Sequence, residues 1–176
     1  MSSRIISVDP FDMVVFGATG DLAARKLMPA LFRRDVAGQI PAEARIIGCS
    51  RRAVDGDAYL DWVKASLRQH VPEEELTGEN LDRFLSRLAH VTLDAGSDAG
   101  WPELAGLLAQ HPERIRAFYL AVGPDLFGTI CERIGRHGLV TPRARVVVEK
   151  PVGKSGDSAD AVNAAVGKVF EERQIF

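Results

Sequence analysis

Short apolar runs alternate along the chain with stretches whose apolar positions recur every three or four residues. Residues 13–16, 45–49, 89–93, 116–121 and 144–149 read as strands. Between them DAYLDWVKASLRQH, ENLDRFLSRL, WPELAGLLAQH and PDLFGTICERIGRHG read as helices. Val146, Val147 and Val148 are continuously apolar, as in a strand covered on both faces. Val162, Ala165, Val166, Val169 and Phe170 recur at helical spacing, which predicts a last amphipathic helix over 155–173. Ile175 and Phe176 then read as the start of a further strand. Strand–helix alternation of this kind predicts an α/β fold, an open parallel sheet with right-handed crossovers and helices on both faces, built as one domain over residues 1–176.

Composition narrows the function classes. With 176 residues and 46% hydrophobic content the chain can bury one sizeable core. Its 22 basic and 24 acidic residues, net charge -2, argue against a surface that coats nucleic acid or an anionic membrane, so the expected partners are small molecules. Cys49 and Cys131 are too few and too far apart for a disulfide framework or a zinc site, and read as packing residues of a reducing compartment. No apolar run approaches membrane-spanning length and the N-terminus lacks a signal-peptide core, so a cytoplasmic protein is expected.

In an open parallel sheet, ligands bind beyond the carboxyl ends of the strands. The loops predicted there are GATGDL, SRR, LDAG, VGPD and EKPVG, and they hold most of the unusual residues of the chain. In the first, Gly17 and Gly20 allow backbone N–H groups to approach a phosphate with no β-carbon in the way, and the following helix offers the anion its positive end. The spacing is G-x-x-G, a variant of the longer dinucleotide fingerprint. Asp21 reads as the helix N-cap. Pro29, inside a helical pattern, removes a backbone donor and predicts a distortion of the first helix.

The end of the second strand bears on the choice of cofactor. An acid there accepts from the ribose hydroxyls of NAD, whereas an arginine accommodates the extra phosphate of NADP. Here the segment is IIGCSRR, with no acid, so Arg51 is the candidate for the 2′-phosphate and Arg52 its neighbour. Two adjacent arginines in a loop are also compatible with plain solvation; together with the glycine corner they favour NADP.

A glycine corner of this form also opens the extended short-chain reductases, which need a tyrosine followed four residues later by a lysine. Tyr59 is followed by Val63 and Tyr119 by Gly123, so that pair is missing. By contrast GATGDLAARKLMPALF, IIGCSRR, FYLAVGP and VVVEKPVGKS, in this order and spacing, resemble the Rossmann-like NADP-binding domain of glucose-6-phosphate dehydrogenase over nearly the whole chain. The resemblance implies that Gly17, Ala18, Thr19, Gly20, Asp21 and Leu22 hold the pyrophosphate, Arg51 the 2′-phosphate, and Leu93 and Asp94 a strand end beside the adenosine. It also implies that Lys150 lies where cofactor and sugar phosphate meet and that Lys26 stands near the substrate, glucose 6-phosphate. Lys26 taken alone reads equally as a solvated lysine; Pro151 after Lys150 restricts the backbone toward extended conformations. One departure is Gly123-Pro124, where the family usually has two prolines.

Oxidising a sugar hydroxyl needs a hydride acceptor and a general base. His70, His111 and His137 fall at predicted helix ends, His90 lies in a strand, and none sits in a ligand-edge loop; Glu149 reads as a group that pairs with or orients a neighbour. The resemblance implies that the catalytic histidine and a second domain, with the oligomer contacts, follow Phe176, so the chain taken alone is expected to bind NADP without catalysing. A stand-alone NADP-binding regulatory module, or an enzyme of other specificity completed by a separate chain, are the alternatives.

Overall fold

The computed structural model describes residues 8–149 and 156–176; Lys150 and Pro151 lie outside them. Strands β1 (Phe11–Phe16), β2 (Arg45–Ser50), β3 (Leu88–Thr92), β4 (Ile115–Leu120) and β5 (Ala144–Val148) form one sheet in the order β3-β2-β1-β4-β5. Every pairing between them is parallel. The expected α/β architecture is therefore present, with each strand within two residues of its predicted ends.

Helices α1 (Met28–Val36), α2 (Gly56–His70) and α3 (Gly78–Leu85) cover one face of the sheet, and α4 (Trp101–Ala109), α5 (Phe127–Arg136) and α6 (Gly156–Gly167) the other. Alternation along the strands sorts the core into two layers. Val14, Phe16, Ile47 and Phe118 pack with Trp101, Leu104, Ile130 and Val166, whereas Val15 and Ile46 pack with Leu31, Phe32, Tyr59, Val63 and Phe84. Aromatic pairs reinforce both layers: Phe16 lies on Trp101 at 5.6 Å and Phe32 meets Phe84 edge-on at 5.6 Å. Local signals set the helix starts, with the Asp55 carboxylate accepting from the Ala58 amide at 2.7 Å and the Thr77 hydroxyl from that of Asn80 at 3.3 Å.

The first helix starts at Asp21 but widens into a π-helical turn over Ala23–Leu27 before continuing as α1. Pro29 follows directly, and the wide turn relieves the conflict between its ring and the preceding turn of backbone. The predicted helix over 155–173 ends early, at Gly167. Beyond it Phe170 turns in to be buried against Phe118 at 6.1 Å, and a short 3-10 turn, Glu172–Gln174, follows. Buried Gln174 donates to the carbonyls of Thr141 and Ala144, which places Ile175 beside Val146 in a parallel bridge. The Phe176 amide donates to the Val146 carbonyl and the Val148 amide to that of Phe176, both at 2.9 Å, so these two residues do open a further strand position.

Two buried carboxylates tie distant segments together. Asp12, in β1, accepts from Arg45 Nε and Nη2 at 2.9 Å each and from Arg114 at 3.1 Å. Asp35 accepts from Arg83 at 3.1 Å and Arg87 at 2.9 Å. Both networks stand away from the carboxyl ends of the strands, on the structural side of the molecule.

Candidate functional site

The chain passes from β1 outward through β2 to β3 and then returns across β1 to β4, so the winding reverses between β1 and β4. Loops leaving adjacent strands diverge at such a point and leave a crevice. A cleft of about 430 Å³ opens there, walled by Phe16, Gly17, Thr19 and Gly20 after β1 and by Cys49, Ser50, Arg51 and Arg52 at the end of β2. Leu93 and Ala95, Val122 and Gly123, and Leu126 and Ile130 complete it from β3, β4 and the start of α5.

Backbone bonds hold this rim. Phe16 stands level with Cys49 in the sheet, and the Cys49 carbonyl accepts from both the Gly17 and Ala18 amides at 3.1 Å. The Ala121 amide bonds the Phe16 carbonyl and the Leu93 amide that of Ser50, each at 2.9 Å. Gly17 has φ +79°, and a β-carbon on it would collide with the Ala121 carbonyl. Its glycine is thus demanded by the approach of the β4 backbone as well as by the turn. Gly20 differs: it borders the open cleft, and the Ala24 amide bonds its carbonyl at 3.0 Å in the first helical turn. The amides of Asp21 and Leu22 precede that bond, so helix geometry leaves them without intrahelical partners beside the cleft.

Gly17, Thr19, Gly20, Arg51 and Leu93 all line the cleft. The other predicted residues stand elsewhere. Ala18 is fully buried behind the turn and Leu22 packs on the core. Asp21 is exposed and pairs with Arg25 Nε at 2.9 Å; it is the first helical residue, so the expected N-cap is replaced by an ion pair one turn on. The Asp94 carboxylate turns to the Gly96 amide at 3.0 Å and its carbonyl takes the Trp101 indole N–H at 3.0 Å, shaping the loop that carries Ala95. Lys26 is exposed on the π-helical turn and does not wall the cleft. Lys150 lies outside the described residues.

Among the described residues the lining includes two arginines and no aspartate, glutamate or histidine. It is therefore an electropositive hollow with an apolar floor, suited to an anionic ligand with a flat apolar part. Arg52 and Thr19 also border a smaller hollow of about 120 Å³ with Val54, Ala58, Tyr59 and Trp62. Cys49 reaches the floor, but burial pushes its thiol pKa well up, and burial takes Cys131 to about 12, so neither is a thiolate at neutral pH. Glu149 accepts from the Tyr119 hydroxyl, the pairing role expected of it, and burial first and that carboxylate second raise the tyrosine pKa.

Sequence reasoning missed Leu126 and Ile130, which read only as the apolar stripe of a helix, and it missed the partnership of Ser50 with His90. The Ser50 hydroxyl and His90 Nε2 are 2.8 Å apart. Only the parallel register, which sets Gly48 beside His90 and Ser50 beside Thr92, brings them together.

The family model for the NAD binding domain of glucose-6-phosphate dehydrogenase matches residues 14–176. A curated glucose-6-phosphate 1-dehydrogenase of Rhizobium meliloti (strain 1021) is 49% identical over 176 residues, 100% of this chain and 36% of that protein. A solved glucose-6-phosphate dehydrogenase in complex with its substrate glucose-6-phosphate superposes with a TM-score of 0.85 at 28% identity, covering 97% of this chain and 37% of the other. The glucose-6-phosphate 1-dehydrogenase from Mycobacterium avium gives a TM-score of 0.84 at 31% identity, over 94% of this chain and 35% of that one. This chain thus spans a little over a third of the length of the Rhizobium relative. The match of the family model over residues 14–176 shows that the chain belongs to the glucose-6-phosphate dehydrogenase family and corresponds to its NAD binding domain.

Proposed function

We propose that the cleft binds NADP, and that the polypeptide carrying this domain transfers hydride from C1 of glucose 6-phosphate to NADP, giving 6-phosphogluconolactone. The observation that carries this reading is the convergence of the glycine turn of β1 with Arg51 and Arg52 of β2 in one cleft that has no acidic side chain among its described lining residues. An acid at the end of β2 would favour the free ribose hydroxyl of NAD; a guanidinium there favours a phosphate.

The residues fit the cofactor in charge and in access. Gly20 leaves room for backbone approach, and the Asp21 and Leu22 amides at the helix start suit a pyrophosphate. Arg51 would pair with the 2′-phosphate, with Arg52 beside it, and Leu93 would support the adenosine. Gly17, Ala18 and Thr19 shape the turn, and Asp94 holds the adjoining loop through the Gly96 amide. Bound NADP would supply the hydride acceptor. Lys150 is proposed to meet both cofactor and sugar phosphate, and Lys26 to stand on the substrate side. Among the described residues the lining carries no histidine or carboxylate, and the base for the sugar hydroxyl is proposed to come from elsewhere in the polypeptide. Residues 1–176 are proposed to act as one cofactor-binding domain in this reaction.

The test is calorimetric titration with NADP and with NAD, repeated on Arg51→Ala. The expected outcome is tighter binding of NADP, with the preference lost in the variant. Equal affinity for both cofactors in the unaltered protein would overturn the assignment of the 2′-phosphate.

A further inference from the structure

The turn that presents Arg51 and Arg52 is held from beneath by a side chain of another strand. His90 stands in β3 beside Gly48 of β2, on the face covered by α2. With no side chain at Gly48, the Tyr59 ring of α2 lies over this point and meets the His90 ring at 4.8 Å between centroids. The imidazole is thereby fixed in position, and its Nε2 lies 2.8 Å from the Ser50 hydroxyl.

Two bonds in series connect the ring with the turn: the Ser50 hydroxyl donates to the Arg52 carbonyl at 3.3 Å and, its one proton so used, accepts from His90 Nε2–H at 2.8 Å. Residues 50 and 52 thus meet at one hydroxyl anchored on the imidazole, and Arg51 lies between them. Such restraint matters most for a long cation that must meet a phosphate at one place. A guanidinium on a free loop loses rotamer and backbone freedom when it binds, whereas one on a fixed loop has less to lose.

We propose that His90, acting through Ser50, is a positioning residue that sets the preference for NADP over NAD by holding the Arg51–Arg52 turn. His90 does not line the cleft, so it acts on the cofactor through the turn alone. NAD lacks the 2′-phosphate, so loosening the turn weakens NADP and spares NAD. The inference rests on the proposed pairing of Arg51 with that phosphate.

The experiment measures dissociation constants for NADP and NAD by calorimetry in the intact polypeptide that carries this domain. The variants are His90→Phe, which keeps a ring against Tyr59 without nitrogens; His90→Gln, whose amide can bond Ser50 again; Ser50→Ala, which removes one oxygen; and Arg51→Ala. His90→Phe and Ser50→Ala are expected to lower the NADP preference about tenfold, the scale of one lost hydrogen bond, and His90→Gln to restore most of it. Thermal midpoints and near-ultraviolet dichroism establish which variants are folded, and Ser50→Ala covers the case in which His90→Phe does not fold. A folded Ser50→Ala or His90→Phe protein with an unchanged preference overturns the positioning role, as does equal weakening of both cofactors. If Arg51→Ala keeps the preference, the underlying assignment of the 2′-phosphate fails and this inference with it. If Arg51→Ala loses the preference and the His90 and Ser50 variants retain it, the inference alone fails.

Discussion

Tyr59 fills the space that a side chain at Gly48 would need: a β-carbon there would fall on the phenol oxygen. That oxygen is buried and has no hydrogen-bond partner among the described residues, and burial raises the pKa of the group, so the hydroxyl is carried into the core uncompensated. Tyr59→Phe is therefore expected to leave stability unchanged or raise it by up to about 1 kcal/mol, because the desolvation penalty disappears with the oxygen. Gly48→Ala is expected to cost about 1–3 kcal/mol through overpacking. Urea midpoints measure both, and a clear loss in Tyr59→Phe would contradict the orphaned hydroxyl.

At the first turn the expected effect is conformational. Gly17→Ala would have to hold φ near +79° and place a methyl against the Ala121 carbonyl. A loss of about 2–4 kcal/mol is expected from strain and collision together. Thermal unfolding tests it; a tolerant Gly17→Ala with an unchanged midpoint would mean that the β1–β4 approach relaxes freely.

Away from the cleft, Asp12 is the group on which the amino ends of the strands converge. Asp12→Ala removes the partner of two arginines, one of them, Arg114, buried. Breaking a buried ion network in this way is expected to cost about 3–5 kcal/mol, read from chemical denaturation. Asp12→Asn should recover part of the loss by keeping hydrogen bonds to Arg45, and no recovery would point to charge as the whole of the effect.

The pH dependence has a defined sign at His90. Burial lowers its pKa below the ordinary imidazole value, against the opposing effects of the Val54 main chain and the charge of Glu103 on α4; Ser50 and the Tyr59 ring are its other neighbours. The unfolded chain therefore takes up this proton first, and the contribution to stability is lost as pH falls from about 6.5 toward the lower folded value. His90→Gln should flatten the denaturation midpoint across that window. Asp98, whose pKa is lowered first by its hydrogen bond to His137, with Arg133 and Arg136 adding to the effect, loses its contribution as pH falls from about 3.9 toward its lower folded value, outside this window. An unchanged slope between pH 7 and 5 in His90→Gln would exclude His90 as its source.

The alternation of apolar runs with helical periods is enough to read the parallel sheet, because each element buries a face through its own local pattern. Gly17, Thr19, Gly20 and Arg51 were legible for a related reason: they sit in sequence just past apolar strands, and strand ends determine where side chains of that kind arrive. What resisted reading depends on distant partners. Asp12 is a charge at the start of a strand until Arg45 and Arg114 close on it, and β1 accordingly begins at Phe11, earlier than its apolar run. The bond between Ser50 and His90 spans 40 positions and exists only through the β2–β3 register. The π-helical turn before Pro29 is a compromise between a proline and an otherwise helical segment, and the sequence marks the conflict without its resolution.

Two amides, those of Gly17 and Ala18, share the single carbonyl of Cys49. The glycine corner is consequently fastened to the strand that ends in the arginine turn, and the two cannot drift apart independently. A ligand that bridges them meets a separation already set by the sheet, much as a key meets pins cut beforehand. Length along the cleft thereby becomes a selection rule in its own right, separate from charge: a molecule with the right anionic groups at the wrong spacing gains one contact or the other, and only one of matching span gains both.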